Sequence, residues 1–87
     1  MNILLTRNFQ RAFRKLDPQM QRRILGIIRE VEIAVTLQEV GSIKPMTNYT
    51  NYYRIREGSY RVGIYINNNV VEFIDVGPRG DYYNRFP

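Results

Sequence analysis

The apolar positions in the first half of the chain recur at helical spacing. A short apolar run at residues 3–5 predicts a strand. The apolar residues that come next are Phe9, Ala12, Phe13 and Leu16. Their spacing predicts an amphipathic helix that ends near Leu16, with Thr6 or Asn8 as its N-cap.

A second and longer helix is predicted to begin at Asp17-Pro18. Aspartate accepts hydrogen bonds from the free amide groups at a helix N-terminus, and proline at the first helical position loses no hydrogen bond. The apolar stripe that follows consists of Met20, Ile24, Ile27, Ile28, Val31 and Val35. We expect this helix to end near Gly41, because glycine is the preferred residue just beyond a helix C-terminus.

The periodicity changes after Gly41. Residues 42–51 contain Pro45 and several turn-forming residues, and they predict a loop. Three strand-like segments follow at about 51–57, 60–67 and 70–76, separated by the two-residue turns Gly58-Ser59 and Asn68-Asn69. The prediction is a single α+β domain over residues 1–87. It has a strand, a two-helix hairpin and a three-strand antiparallel meander, with the helices packed on one sheet face.

The two short turns also predict the register of the meander. They place Arg56 opposite Arg61 and Ile66 opposite Val71. Alternation then directs one set of side chains toward the helices: Tyr53, Ile55, Val62, Ile64, Ile66, Val71 and Phe73. The other face carries Arg54, Arg56, Arg61, Gly63, Tyr65 and Glu72. Three arginines are thus predicted to cluster on the face that the helices leave uncovered.

Composition limits the chemistry. The 87 residues include neither histidine nor cysteine, and the formal net charge is +5. A disulfide framework, a thiolate metal site and a histidine general base are therefore excluded, and no metal or cofactor is expected. The excess of basic residues favours a polyanionic or acidic partner, although a small basic domain that is merely soluble has the same charge. Because the apolar run at residues 3–5 is too short for a secretory or membrane-spanning segment, we expect a cytoplasmic protein.

The arginine cluster is a candidate anion site. Two like charges opposite each other in a sheet destabilise it by up to ~1 kcal/mol, so the pair of Arg56 and Arg61 suggests a functional demand. Arginine suits phosphate because its planar fork binds two oxygens at once. Arg79 follows the last strand on a bend, close to Tyr82 and Tyr83, and aromatic rings beside arginines are typical of single-stranded RNA recognition. The alternatives are a solvated polar face and tyrosines that pack on the sheet.

Two segments resemble the C-terminal half of RelE/ParE toxins: residues 53–62 (YRIREGSYRV) and residues 76–83 (VGPRGDYY). The family pattern is a strand with two basic positions, a glycine turn, Tyr-Arg-Val or Tyr-Arg-Ile on the next strand, and a Val-Gly-x-Arg segment followed by a tyrosine. The helical hairpin also matches the family in length and order. The resemblance therefore covers nearly the whole chain.

The resemblance implies a ribosome-dependent endoribonuclease. RelE-type members cut messenger RNA in the ribosomal A site, and the implied reaction is a metal-independent attack of the RNA 2′-hydroxyl on the adjacent phosphate. The implied catalytic residues are Arg54, Arg56, Arg61, Arg79 and Tyr83, and the implied RNA-binding residues are Arg54, Arg56, Tyr65 and Tyr82. The histidine of some relatives is absent and lysines of others are replaced by arginine, so the general base stays open, with Glu72 as one candidate.

The resemblance also implies partners and leaves alternatives. A cognate antitoxin, the ribosome and messenger RNA are the expected partners, and a heterotetramer or larger complex with the antitoxin is an expected assembly. One alternative is a ParE-type inhibitor of DNA gyrase without nuclease activity, which shares the fold. Another is a catalytically inactive module that binds RNA or the antitoxin. Codon preference, antitoxin identity and oligomeric state are open at the level of sequence.

Overall fold

The computed structural model describes residues 1–80 of the chain, and these residues form one sheet with two α-helices. The strands are β1 (Asn2–Leu5), β2 (Ile43–Pro45), β3 (Tyr52–Glu57), β4 (Tyr60–Asn67) and β5 (Val70–Pro78). The helices are α1 (Arg7–Arg14) and α2 (Pro18–Ile33), and a short 3-10 helix spans Leu37–Glu39. The predicted α+β order of a strand, two helices and a three-strand meander is confirmed.

Both predicted helix starts are confirmed by their capping hydrogen bonds. The hydroxyl of Thr6 accepts a hydrogen bond from the amide of Phe9 at 3.1 Å, so Thr6 rather than Asn8 is the N-cap of α1. The carboxylate of Asp17 accepts one from the amide of Met20 at 2.9 Å. Pro18 then occupies the first turn of α2, where its missing N–H costs nothing.

The predicted end of α2 near Gly41 is wrong, because the helix ends at Ile33. Ala34 is already extended, with φ −70° and ψ 144°. The carboxylate of Glu39 accepts hydrogen bonds from the amides of Val35 and Thr36, at 3.1 and 3.0 Å, and thereby caps the 3-10 helix that follows. These amides bond to a side chain rather than to the preceding helical turn, so a local cap overrides the apolar periodicity.

The sheet has the strand order β1-β5-β4-β3-β2. β1 pairs parallel with β5, and the other neighbours are antiparallel. The predicted register is confirmed: Arg56 lies opposite Arg61, and Ile66 lies opposite Val71. Both turns have their first residue in the left-handed region, with φ +59° at Gly58 and at Asn68, as hairpin turns of this length require.

The prediction that residues 42–51 form only a loop is wrong, since β2 lies within them. This strand extends the sheet beside β3, with Lys44 opposite Arg54. It ends at Pro45, which is tolerated because β2 is an edge strand and its outer side needs no ladder hydrogen bond. The strand is only three residues long, too short for an alternating pattern to distinguish it from a turn-rich loop.

A bulge in β5 changes the alternation near its end. Ile64 pairs with Phe73, whereas Gly63 pairs with Asp75, so Ile74 is the extra residue. Strict alternation would have directed Asp75 into the core. The bulge instead gives Val76 the core position, where it is 1% exposed, and turns Asp75 to the arginine-bearing face.

The core lies between the helices and a single face of the sheet. Its buried members are Phe9, Met20, Ile24, Ile27, Val31, Ala34, Val40, Ile55, Val62, Ile64, Val71, Phe73 and Val76. The ring of Phe9 meets that of Phe73 edge-on, with centroids 5.4 Å apart, and this contact joins α1 to β5. Within residues 1–80, no helix covers the opposite face of the sheet.

Candidate anion-binding active site

A cleft of about 240 Å³ opens on the sheet face opposite the helices. Its lining residues are Ser42, Lys44, Arg54, Arg56, Arg61 and Arg79. Pockets for drug-sized ligands are usually larger, about 300–1,000 Å³, and mostly apolar. A small cleft lined by five cationic side chains instead fits a compact anionic group, such as the phosphate of a nucleic acid backbone.

Strand pairing brings these cations together. Arg56 and Arg61 are direct cross-strand partners, and Arg54 lies between Lys44 on β2 and Gly63 on β4. Directly opposed side chains in an antiparallel pair have Cβ atoms roughly 4.5–5.5 Å apart. The cations therefore form two adjacent rows across three strands, and the glycine leaves room above the middle of the sheet.

The side chain of Arg61 is held by the backbone beside it. Its Nη1 donates hydrogen bonds to the carbonyl oxygens of Gly58 and Tyr60, both at 2.9 Å, and the residue is only 9% exposed. A guanidinium has five N–H donors, and those on Nε and Nη2 of Arg61 donate to no acceptor within residues 1–80. Burial strengthens the field of this charge, because fewer water molecules screen it.

The β3–β4 turn connects Arg61 to Arg79 and to the helices. The backbone amide of Arg79 donates to the carbonyl of Ser59 at 2.9 Å. On the other side of the turn, Nε of Arg23 on α2 donates to the carboxylate of Glu57 at 2.8 Å. The turn thus fixes the Arg61 side chain and the backbone of Arg79 at one place. Such preorganisation matters when charge must be stabilised as it develops.

The four predicted arginines all line the cleft, which is the arrangement that the sequence predicts. Tyr65 lies on the same face, opposite Tyr52 and Glu72, beyond the cleft lining. Glu72, the candidate general base, is likewise absent from that lining. Tyr82 and Tyr83 lie outside the described residues, so their predicted roles stay predictions.

Sequence reasoning missed Lys44 and Ser42 as cleft residues. Both belong to the segment that was predicted to be a loop, and β2 brings Lys44 beside Arg54. The carbonyl of Ser42 accepts a hydrogen bond from the amide of Arg56 at 3.1 Å, so Ser42 marks the start of this edge pairing. The one sequence feature that indicated a strand here was the apolar Ile43 beside a lysine. Two residues are too few to define an alternating pattern.

Residues 1–80 contain neither a cluster of metal-ligating side chains nor a membrane-spanning helix. No group of three or more aspartate, glutamate, histidine or cysteine side chains in this part of the chain is arranged to hold a metal ion. Over the same residues, neither helix has both the length and the apolar character needed to span a membrane.

The fold is that of a class of small toxins, and comparison with known proteins identifies the family. No family model matches the chain. It is 34% identical over 88 residues to Toxin RelE3 of Methanocaldococcus jannaschii, and the match covers the whole of both chains. The chain belongs to the RelE toxin family.

Solved structures of toxin–antitoxin complexes share this fold. The toxin chain in the RelB–RelE antitoxin–toxin complex from Methanococcus jannaschii superposes with a TM-score of 0.83 at 33% identity, over 97% of this chain and 99% of that chain. The archaeal RelE–RelB complex from Pyrococcus horikoshii OT3 gives a TM-score of 0.74 at 23% identity, over 91% and 94%. The intact Escherichia coli RelBE complex gives 0.73 at 18% identity, over 88% and 94%, a likeness of fold alone.

Proposed function

We propose that this chain is the toxin of a toxin–antitoxin pair and that it cleaves messenger RNA in the ribosomal A site. RelE toxins are ribosome-dependent endoribonucleases that act on messenger RNA. The observation that carries the proposal is the cleft, in which guanidinium groups from β3, β4 and the end of β5 line one small space. A ribosomal substrate also requires a cytoplasmic location, which is part of the proposal.

The reaction is a transesterification within the RNA strand. The 2′-hydroxyl oxygen attacks the adjacent phosphorus, the bond from phosphorus to the 5′-oxygen breaks, and the products are a 2′,3′-cyclic phosphate and a 5′-hydroxyl. The proton leaves the 2′-hydroxyl and the leaving 5′-oxygen gains one. Negative charge grows on the non-bridging oxygens between these states, so donors that already point at the phosphate accelerate the step.

We assign a role to each of the five cationic residues of the cleft from its surroundings. Arg61 and Arg79, joined through the β3–β4 turn, hold the phosphate oxygens and neutralise the developing charge. Arg54 and Arg56, together with Lys44, orient the backbone and favour ionisation of the 2′-hydroxyl through their positive field. Arginine itself stays protonated at any physiological pH and therefore does not act as the base.

Few residues of the chain are candidates for the general acid and the general base. There is no histidine, and Glu72 is not part of the cleft lining. Tyr83 stays a proposed catalytic residue on the resemblance alone, with the role of general acid or of a stacking platform for a base. A site that contributes mainly charge and positioning depends on the ribosome to arrange the message, so activity on free RNA should be very low.

The antitoxin is the second part of the proposal. The related toxin from Methanococcus jannaschii is in complex with RelB. We propose an analogous antitoxin for this chain, in a heterotetramer or a larger assembly. An acidic partner would complement a net charge of +5. The full-length relative is a RelE toxin, which favours messenger RNA over DNA gyrase as the target.

Primer extension on a translated message tests the proposal. Induced wild-type protein should produce breaks at fixed codon positions, and Arg61→Ala or Arg79→Ala should lower the cleavage rate by about 10²–10³-fold, the usual effect of removing one preorganised donor. Arg22→Ala, which removes the same charge from an exposed position of α2, is the matched control and should cleave normally. Intact messages with gyrase-linked DNA damage would reject the proposal, and full activity in both cleft variants would reject the site.

A further inference from the structure

A cluster of three tyrosine rings shares the sheet face of the cleft. The ring centroids of Tyr52 and Tyr65 are 4.8 Å apart, with the planes tilted by 52°. The ring of Tyr49 stands edge-on to that of Tyr52, at a centroid distance of 6.1 Å. We call these three residues the tyrosine cluster. The transesterification itself requires none of them, so their proximity to the cleft calls for a separate explanation.

Sheet geometry fixes the distance from the cluster to the cations. Tyr52 precedes Arg54 by two residues on β3, so both side chains point to the same face about 7 Å apart along the strand. Tyr65 is the direct cross-strand partner of Tyr52. The rings therefore form the row next to Lys44 and Arg54, at about the reach from a backbone phosphate to a base of the same strand.

The β2–β3 loop holds Tyr49 against this row. The loop is tied at both ends, since the amide of Met46 donates to the carbonyl of Tyr52 at 2.8 Å and the amide of Ile66 donates to the carbonyl of Asn51 at 2.9 Å. Asn48 and Asn51 are both left-handed, with φ +68°, a conformation that asparagine adopts more readily than most residues. The loop thus presents Tyr49, a residue that is 51% exposed.

We propose that the tyrosine cluster is a stacking site for a nucleobase of the single-stranded RNA whose phosphate occupies the cleft. The inference rests on the proposed function and adds base recognition to it. Unpaired bases bind to aromatic platforms beside a positively charged track, and tyrosine offers a flat surface that loses little conformational freedom. A structural cross-strand pair alone would account for Tyr52 and Tyr65, but not for a third ring that a tied loop holds half-exposed against them.

Binding of an uncleavable oligonucleotide tests the proposal without requiring catalysis. The probe is a short 2′-O-methyl RNA, which lacks the attacking hydroxyl, in an intact form and in forms with one abasic position. Fluorescence anisotropy at fixed low salt gives the dissociation constants. The wild type should bind the intact probe more tightly than at least one abasic form. Tyr52→Leu and Tyr65→Leu should weaken intact-probe binding by about 5- to 150-fold, the usual effect of losing one base–aromatic stack.

Two control variants separate stacking from general damage. Tyr52→Phe keeps the ring and should bind like the wild type. Tyr53→Leu lies on the same strand but faces the core, and it should preserve the difference between the intact and abasic probes in the molecules that remain folded. Stacking is supported if the Tyr52→Leu and Tyr65→Leu variants bind the intact probe more weakly than the wild type does but bind the discriminating abasic probe equally well. Only the base-dependent part of the affinity is then lost.

Three results would overturn the inference. The first is a wild type that binds intact and abasic probes equally. The second is that the leucine variants lose affinity for both probes alike. The third is that the leucine variants keep the full difference between intact and abasic probes but lose affinity for an antitoxin. Base-dependent binding without any cleavage of translated messages would overturn the proposed function alone. Cleavage without base-dependent binding would overturn the stacking site alone.

Discussion

The two faces of the sheet are formed by alternate residues of the same strands, and they differ in what they contribute. On the helix-covered face, Ile55 and Val62 are 1% and 0% exposed and oppose each other in the core. One residue further on, Arg56 and Arg61 oppose each other on the cleft face. Apolar neighbours there would be more stable, since opposed like charges destabilise a sheet. One face therefore supplies stability, and the other places charge where binding needs it.

Backbone carbonyl groups reduce the electrostatic repulsion on the cleft face. The guanidinium of Arg61 donates to the carbonyl oxygens of Gly58 in the β3–β4 turn and of Tyr60 just after it, and their partial negative charge offsets part of the repulsion from Arg56. Glu57, next to the turn, extends to the other face and pairs with Arg23 of α2. Residues at the β3–β4 turn thus contact both the helices and the cleft. Substitutions there should affect both stability and cleavage.

The largest expected effect is on the helix-covered face. Phe9→Ala removes a ring that is 1% exposed and contacts Phe73, so it should lower the free energy of unfolding by about 3–5 kcal/mol. Chemical denaturation measures this loss, and cleavage per folded molecule should be unchanged. Leu25→Ala, at a helix position that is 53% exposed, should change stability by no more than about 0.5 kcal/mol. A fully folded Phe9 variant without activity would contradict the division between the faces.

A substitution in the turn should have an intermediate effect on both properties. Gly58 has φ +59°, a conformation that costs other residues about 1–2 kcal/mol, and an added Cβ would lie 3.2 Å from Nη2 of Arg23. Gly58→Ala should lower stability by about that amount and also slow cleavage, because the Gly58 carbonyl helps to hold Arg61. Gly58→Asn is the control, since asparagine tolerates this conformation better. Equal losses in the two variants would show that strain is not the cause.

The smallest change in stability is expected at Arg56, where a substitution should raise stability and lower activity. Arg56→Gln removes the like-charge contact with Arg61, so it should raise the free energy of unfolding by about 0.2–1 kcal/mol at low salt. The gain should shrink as salt screens the repulsion. Cleavage should fall, because one cation of the cleft is lost. Arg11→Gln removes the same charge from an exposed position of α1 and should leave cleavage unchanged. A loss of both stability and activity at Arg56 would refute the idea that the cleft face is built against stability.

Local chemistry made much of this protein predictable from its sequence. Thr6 and Asp17 cap their helices because a side-chain oxygen next to free amides needs no distant partner. The turn at Gly58-Ser59 fixed the pairing of Arg56 with Arg61, because a two-residue loop permits one register and a slip would bury charge. The arginines of the cleft followed from that register and from the position of Arg79 just after the last strand.

Other features were not predictable from apolar spacing, one because of a local cap and two because of contacts between distant residues. The predicted end of α2 was wrong because Glu39 caps the 3-10 helix that follows α2. Apolar spacing does not encode such a cap. β2 exists because the edge of β3 offers it unpaired hydrogen-bonding groups, and through it Lys44 joins the cleft. The bulge at Ile74 likewise exchanges Asp75 for Val76 in the core.

Sequence by itself therefore determined the fold class, the register and the set of arginines, since each follows from alternation and from hydrogen bonds between near neighbours. Only the tertiary structure decided how the cleft is closed on the β2 side, which backbone carbonyls fix Arg61 and which rings lie beside the cations. Edge pairing, bulges and ring contacts are selected by the free energy of the whole assembled sheet. No single segment of the chain contains that information.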